Sequence, residues 1–101
     1  MSYIKFKKTK IVATLGPGCS SKTMLQRLIK AGVNVFRINF SHATYDEVDN
    51  YIDLIRSLNK ELDTNVAILA DLQGPKIRVG KMEDGVVFKK GDEFSLSTKK
   101  E

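Results

Sequence analysis

The chain has 101 residues, 42% of them hydrophobic and 29% charged, with a net charge of +5. That composition suits a soluble globular chain. No apolar run approaches the roughly 18 residues a membrane span needs, and the basic start "MSYIKFKKTK" lacks a signal-peptide core and cleavage site. Cys19 is the only cysteine, which excludes a disulfide framework and zinc-binding spacing. A cytoplasmic, reduced setting is expected. The positive charge comes from Lys5, Lys7, Lys8 and Lys10 and from scattered pairs such as Lys89-Lys90 and Lys99-Lys100. No aromatic-rich RNA-binding signature accompanies them, so they read as a solvated surface.

In chain order, "KIVATLG" (10–16) is a short β-branched run ended by Gly16-Pro17-Gly18, a strong breaker. "CSSKTMLQRLIKAG" reads as a helix with Ser20 or Ser21 as N-cap, Leu25, Leu28 and Ile29 at helical spacing, and Gly32 as its stop. "VNVFRINFS" (33–41) is a second strand. Thr44-Tyr45-Asp46-Glu47 has the pattern of a capping box. It opens a long helix whose stripe is Val48, Tyr51, Ile52, Ile55, Leu58 and Leu62. "NVAILAD" (65–71) is a third strand, apolar until Asp71.

Strand, helix, strand, helix, strand builds parallel sheet, with all strand carboxyl ends on one edge. That edge is where ligands bind in such folds. The expected fold is therefore α/β. Residues 1–71 form the α/β part. From residue 72 to 101 the texture changes: "KIRVG", "VVFKKG" and "EFSLSTKK" are short strand-like pieces separated by Asp84-Gly85 and Gly91-Asp92, the start of an all-β region. Three strands and an unfinished β region do not complete a fold, so the chain is expected to be a piece of a longer protein.

Within "VNVFRINFS", Arg37, Asn39 and Ser41 alternate with Phe36, Ile38 and Phe40, which in a strand puts a polar row on one face. At the carboxyl end, Arg37 is suited to clamp a phosphate or carboxylate. Asn39, Ser41 and Asp71 add oxygens of the kind hard cations take. The alternative stays open that Arg37 simply pairs with Asp71 as a structural bridge. Cys19 reads as a packing residue, since no base neighbours it.

"TKIVATLGPGCSS", "AGVNVFRINFSHAT" and "AILADLQGPKIRVG" resemble, in order and spacing, the N-terminal part of pyruvate kinase. The resemblance runs from about Thr9 to the end. It implies the first three β/α units of a TIM (β/α)8 barrel, followed by the beginning of a small all-β inserted domain. It also implies phosphoryl transfer from phosphoenolpyruvate to ADP, giving pyruvate and ATP in glycolysis, in a homotetrameric cytoplasmic parent. By resemblance, Arg37 matches the arginine that contacts the substrate phosphate. Asn39, Ser41 and Asp71 match side-chain ligands of a monovalent cation, with Leu72 offering its carbonyl. Asn39, His42 and Arg78 match the nucleotide side, with Arg78 holding the transferring phosphates. Gly16-Pro17 matches a loop lining that site.

Where many members read Asp-Thr-Lys-Gly-Pro-Glu, this chain reads Asp71-Leu72-Gln73-Gly74-Pro75-Lys76. The ammonium of Lys76 would stand in the place of potassium, so K+ is expected not to be required. The family's Mg2+ ligands and assisting lysine fall outside these residues, and the piece by itself is expected to be inactive. A competing expectation is a stand-alone basic module binding nucleotide or nucleic acid, although no Walker loop or dinucleotide fingerprint is present. Open strand edges would also favour self-association.

Overall fold

The computed structural model describes residues 6–99; Lys5 and Lys100 lie outside the described residues. Five regular elements appear in the expected order: β1 (Val12–Thr14), α1 (Lys22–Ala31), β2 (Val35–Asn39), α2 (Tyr45–Leu62) and β3 (Ala67–Asp71). The three strands form one parallel sheet in the order β1-β2-β3. The polar ends Thr14, Asn39 and Asp71 are thus brought to the carboxyl edge together.

Local chemistry explains each boundary. The Ser21 side chain accepts from the Met24 amide at 3.2 Å and starts α1. Gly32 ends it at φ +117, a left-handed backbone that a Cβ disfavours. The Lys7 ammonium donates to the Gly32 carbonyl, placing positive charge at the negative end of the helix. Thr44 and Glu47 close a reciprocal capping box on α2: the Glu47 carboxylate accepts from the Thr44 amide at 2.8 Å, and the Glu47 amide donates to Thr44 Oγ1 at 3.3 Å. At the far end the side chain of Asn59 fastens the turn into β3. Its Oδ1 accepts from Thr64 Oγ1 at 2.8 Å and from the Val66 amide at 2.9 Å, while its Nδ2 donates to the Val66 carbonyl at 3.0 Å.

The helices pack on one face of the sheet. Leu25, Phe36, Ile38, Ile55 and Leu58 are fully buried there, joined by Leu15, Ile29, Val33, Val48, Tyr51, Leu62 and Val66. Truncating one such side chain costs about 2–5 kcal/mol, because the lost transfer energy is compounded by the cavity left behind. The stripe expected for α2 is realised, except that Ile52 lies half-buried at its margin. The opposite sheet face is open: Val12 is 52% exposed and Leu69 43%.

Two expectations need correction. Every strand is shorter than the apolar pattern suggested, and β2 stops at Asn39 rather than at Ser41. The Asn39 side-chain oxygen accepts from the Ser41 amide at 3.0 Å, and the Asn39 carbonyl accepts from the amides of His42 and Ala43. An asparagine that bonds its own downstream backbone turns the chain, so pleated alternation ends there. The breaker Gly16-Pro17-Gly18 also contributes to a 3-10 turn, Pro17–Cys19, in which the Cys19 amide donates to the Gly16 carbonyl at 3.0 Å.

The second correction concerns residues 72–99, which contain no strand. Gly85 and Gly91 do make left-handed turns, at φ +81 and +97. The flanking residues form no strand ladder, however: Lys89 and Asp92 bond across the Gly91 turn and the Phe88 and Phe94 rings meet at 5.6 Å, but Ile77, Val79, Val87, Phe94 and Leu96 stay exposed. Hairpins need a third strand or a packed face for stability, and the α/β core supplies neither to them. The segment lengthens the molecule to 61 × 28 × 25 Å, with a Cα radius of gyration of 19.0 Å. A compact chain of this size would have a radius of about 13 Å.

Candidate active-site rim

Arg37 is the centre of the carboxyl edge. Its register partner on β1 is Thr14, and on β3 it stands opposite Leu69, two residues short of Asp71. The side chain therefore reaches along the sheet to the strand ends. One terminal nitrogen donates to Thr14 Oγ1 at 3.2 Å, and the other forms an ion pair with the Asp71 carboxylate. At 33% and 41% side-chain exposure, this pair is reachable from solvent. Solvent relieves the burial cost that an arginine on a covered sheet face would incur. The structural-bridge reading of Arg37 is seen directly, since it pairs with Asp71, and the pair lies at the carboxyl edge with further N–H donors on the guanidinium unused.

Asn39 pairs in register with Asp71, which places amide and carboxylate side by side on adjacent strands. Ser41 lies just beyond, in the turn, and Lys76 Nζ approaches Ser41 Oγ at 3.5 Å, the outer limit of a hydrogen bond. The rim therefore gathers two cations, Arg37 and Lys76, around one carboxylate, Asp71. Counting these three side chains, the charge is net positive.

A cleft of about 470 Å³ adjoins this rim, lined by Thr14, Gly16, Pro17, Asn39, His42, Glu47 and Tyr51 among others. His42 and the Gly16-Pro17 loop thus share one hollow. Burial pushes the Tyr51 phenol above its ordinary pKa, and the nearby Glu47 carboxylate adds to the effect. Cys19 backs the cleft from behind: it is half-buried against the core, and its sulfur accepts from the Gly16 amide at 3.3 Å.

Leu72 is 73% exposed and lines a neighbouring hollow with Phe40, Tyr45 and Gln73. Arg78 lies on the extended segment, exposed, and no hydrogen bond or ion pair ties it to another described residue. The rim thus contains Arg37, Asn39, Ser41, Asp71 and Lys76, with His42 beside it; Arg78 stays outside. A third hollow, at the amino ends of the strands, involves Lys7, Asn34 and Thr64. These three polar groups serve the fold, since Lys7 caps α1, Asn34 Oδ1 holds the Ile11 amide at 2.9 Å and Thr64 is bonded to Asn59.

Sequence reasoning missed Thr14. The signal was available, since Thr14 ends the strand that neighbours Arg37, but only the register between strands reveals that the two face one another.

Three side chains expected to serve a monovalent cation each have a protein partner. Asp71 is engaged by Arg37, Ser41 by Lys76, and Asn39 Oδ1 by the Ser41 amide. Among the described residues, no group of three or more His, Cys, Asp or Glu side chains is placed to cage a divalent ion. No helix among them is long and apolar enough to cross a membrane.

Comparison with known proteins identifies the family. The family described as "Pyruvate kinase, barrel domain" matches residues 6–101. A pyruvate kinase of Buchnera aphidicola subsp. Baizongia pistaciae is 49% identical over 92 residues, covering 91% of this chain and 19% of that protein. A pyruvate kinase of Staphylococcus aureus strain USA300 is 48% identical over 92 residues, covering 90% of this chain and 16% of that protein. The chain thus spans less than a fifth of the length of these relatives. With the family pattern matched over nearly all of its residues, the chain belongs to the pyruvate kinase barrel-domain family.

Proposed function

We propose that this chain supplies the opening β/α units of a pyruvate kinase barrel, working in the transfer of a phosphoryl group from phosphoenolpyruvate to ADP. The observation that carries this reading is the solvent-reachable Arg37 guanidinium at the carboxyl edge, flanked by Thr14 and Asp71 and close to the positive Lys76. Phosphoryl transfer depends mostly on positioning and on neutralising charge. Arg37 holds the phosphate of phosphoenolpyruvate with planar, paired donors. Asp71 and Asn39 fix the side chains around it.

His42 and the Gly16-Pro17 loop form the wall against which the nucleotide lies, in the cleft they share. Arg78 joins the site when residues 72–99 approach the rim, holding the phosphates that move. In this reading those residues begin the inserted β domain and gain their strands from partners beyond the ones described. Lys76 provides the positive charge that a potassium ion supplies in other members. Magnesium, which the family uses to neutralise phosphate charge, is held by residues elsewhere in the barrel.

The test is a coupled assay of the full-length enzyme that contains this segment, with phosphoenolpyruvate and ADP. Turnover is expected from the full-length enzyme, and none from the 101 residues alone. A full-length protein that binds phosphoenolpyruvate no better than inorganic phosphate, and yields no pyruvate, would overturn the reading.

A further inference from the structure

Arg37 is held from both sides, and the two tethers are unequal. Asp71, on β3, offers a full negative charge. Thr14, on β1, offers a neutral hydroxyl at 3.2 Å. A guanidinium carries five N–H donors in one plane. One donor on each terminal nitrogen is used here, which leaves Nε–H and one N–H on each terminal nitrogen for a ligand. Arginine and carboxylate favour a two-contact fork when nothing prevents it. In such a fork Asp71 would engage a second donor and turn the group away from solvent. The Thr14 hydroxyl opposes the end-on fork, which would need both terminal nitrogens, by holding the one that does not bond Asp71.

Packing does not account for the residue. Thr14 is exposed and lines the cleft shared by Gly16, Pro17 and His42. It also stands directly across the sheet from Arg37. We propose that Thr14 is a positioning residue for substrate binding, keeping Arg37 from closing onto Asp71 and so preserving its donors for the substrate phosphate. This inference rests on the phosphoenolpyruvate reading above.

Thr14→Val keeps the shape and strand preference of the side chain and removes only the hydroxyl, whereas Thr14→Ser retains the hydroxyl. In the full-length enzyme, Thr14→Val is expected to raise KM for phosphoenolpyruvate about three- to ten-fold, the effect of losing one hydrogen bond that orients a charged group. The value of kcat and the melting temperature should be unchanged, and Thr14→Ser should return KM close to the wild-type value. A Thr14→Val enzyme with wild-type KM would overturn the inference while leaving the functional reading intact. Equal KM losses in the serine and valine variants would also overturn it, since the hydroxyl would then be irrelevant. A wild-type enzyme with no phosphoenolpyruvate turnover would overturn both.

Discussion

Lys76 Nζ lies 3.5 Å from Ser41 Oγ, so a lysine from the segment after β3 reaches a serine in the turn after β2. Ser41 is in turn fixed by Asn39 Oδ1, and Asn39 pairs in register with Asp71. The ammonium thus approaches one of the oxygens, Ser41 Oγ, at the edge where Asn39 and Asp71 also end their strands. An ammonium is a compact point charge with three donors.

That placement motivates a prediction of potassium independence. In the full-length enzyme, turnover should persist when potassium is replaced by a bulky organic cation. Lys76→Glu should make turnover depend on added potassium, because it reverses the charge and leaves the place beside Ser41 open for a free ion. Potassium titrations of the two proteins check this. Loss of wild-type turnover without potassium would sink the idea.

Arg37 and Asp71 allow site and structural bridge to be separated by magnitude. An ion pair exposed at 33% and 41% is worth at most about 1 kcal/mol to stability. Asp71→Asn should therefore shift the urea midpoint only slightly. If the pair orients a substrate clamp, the same variant should lower kcat/KM for phosphoenolpyruvate more than about ten-fold, equivalent to about 1.4 kcal/mol. Arg37→Ala should lower it further, with an equally small effect on folding. Activity losses no larger than the stability change would favour the bridge.

These pairings show what periodicity and spacing could reveal and what they could not. The α2 stripe, the Thr44–Glu47 capping box and the Gly32 stop follow from near neighbours, and all were legible. The rim was legible because residues at strand ends converge in any parallel sheet. Strand lengths were not, since hydrogen bonding to a neighbour sets where a strand stops, and Asn39 turns its own backbone aside. Thr14 escaped notice for a related reason: a threonine in a β-branched run looks like strand filler until register pairs it with Arg37. The strand-like texture of residues 72–99 records a preference without a partner to satisfy it.

Asn59 is the expected weak point of the fold. Three hydrogen bonds join its side chain to Thr64 and Val66, and Thr64 is buried. Each net bond contributes about 1 kcal/mol, and groups left buried without partners cost more. Asn59→Ala should destabilise the protein by about 2–3 kcal/mol in urea unfolding. Asn59→Asp keeps the acceptor but loses the donor to the Val66 carbonyl, so it should fall between. A loss below about 0.5 kcal/mol for Asn59→Ala would mean that water replaces the side chain there.

Lys22, in the first turn of α1, meets Glu61, in the last turn of α2, at 2.6 Å. The bond from Lys22 holds the Glu61 pKa below its ordinary value of 4.5, with Ser57 adding a further hydrogen bond. A carboxylate whose pKa is lowered on folding stabilises the folded state above its unfolded pKa. That contribution is lost as pH falls through the lower folded value. The melting temperature of the wild type should therefore exceed that of Glu61→Gln at pH 6–7, and the gap should narrow once pH drops below about 4.5. Both groups are exposed, so the gap should also shrink in molar salt. Paired melting curves across this pH range check the sign: a gap that widens on acidification would show that some group other than Glu61 carries the dependence.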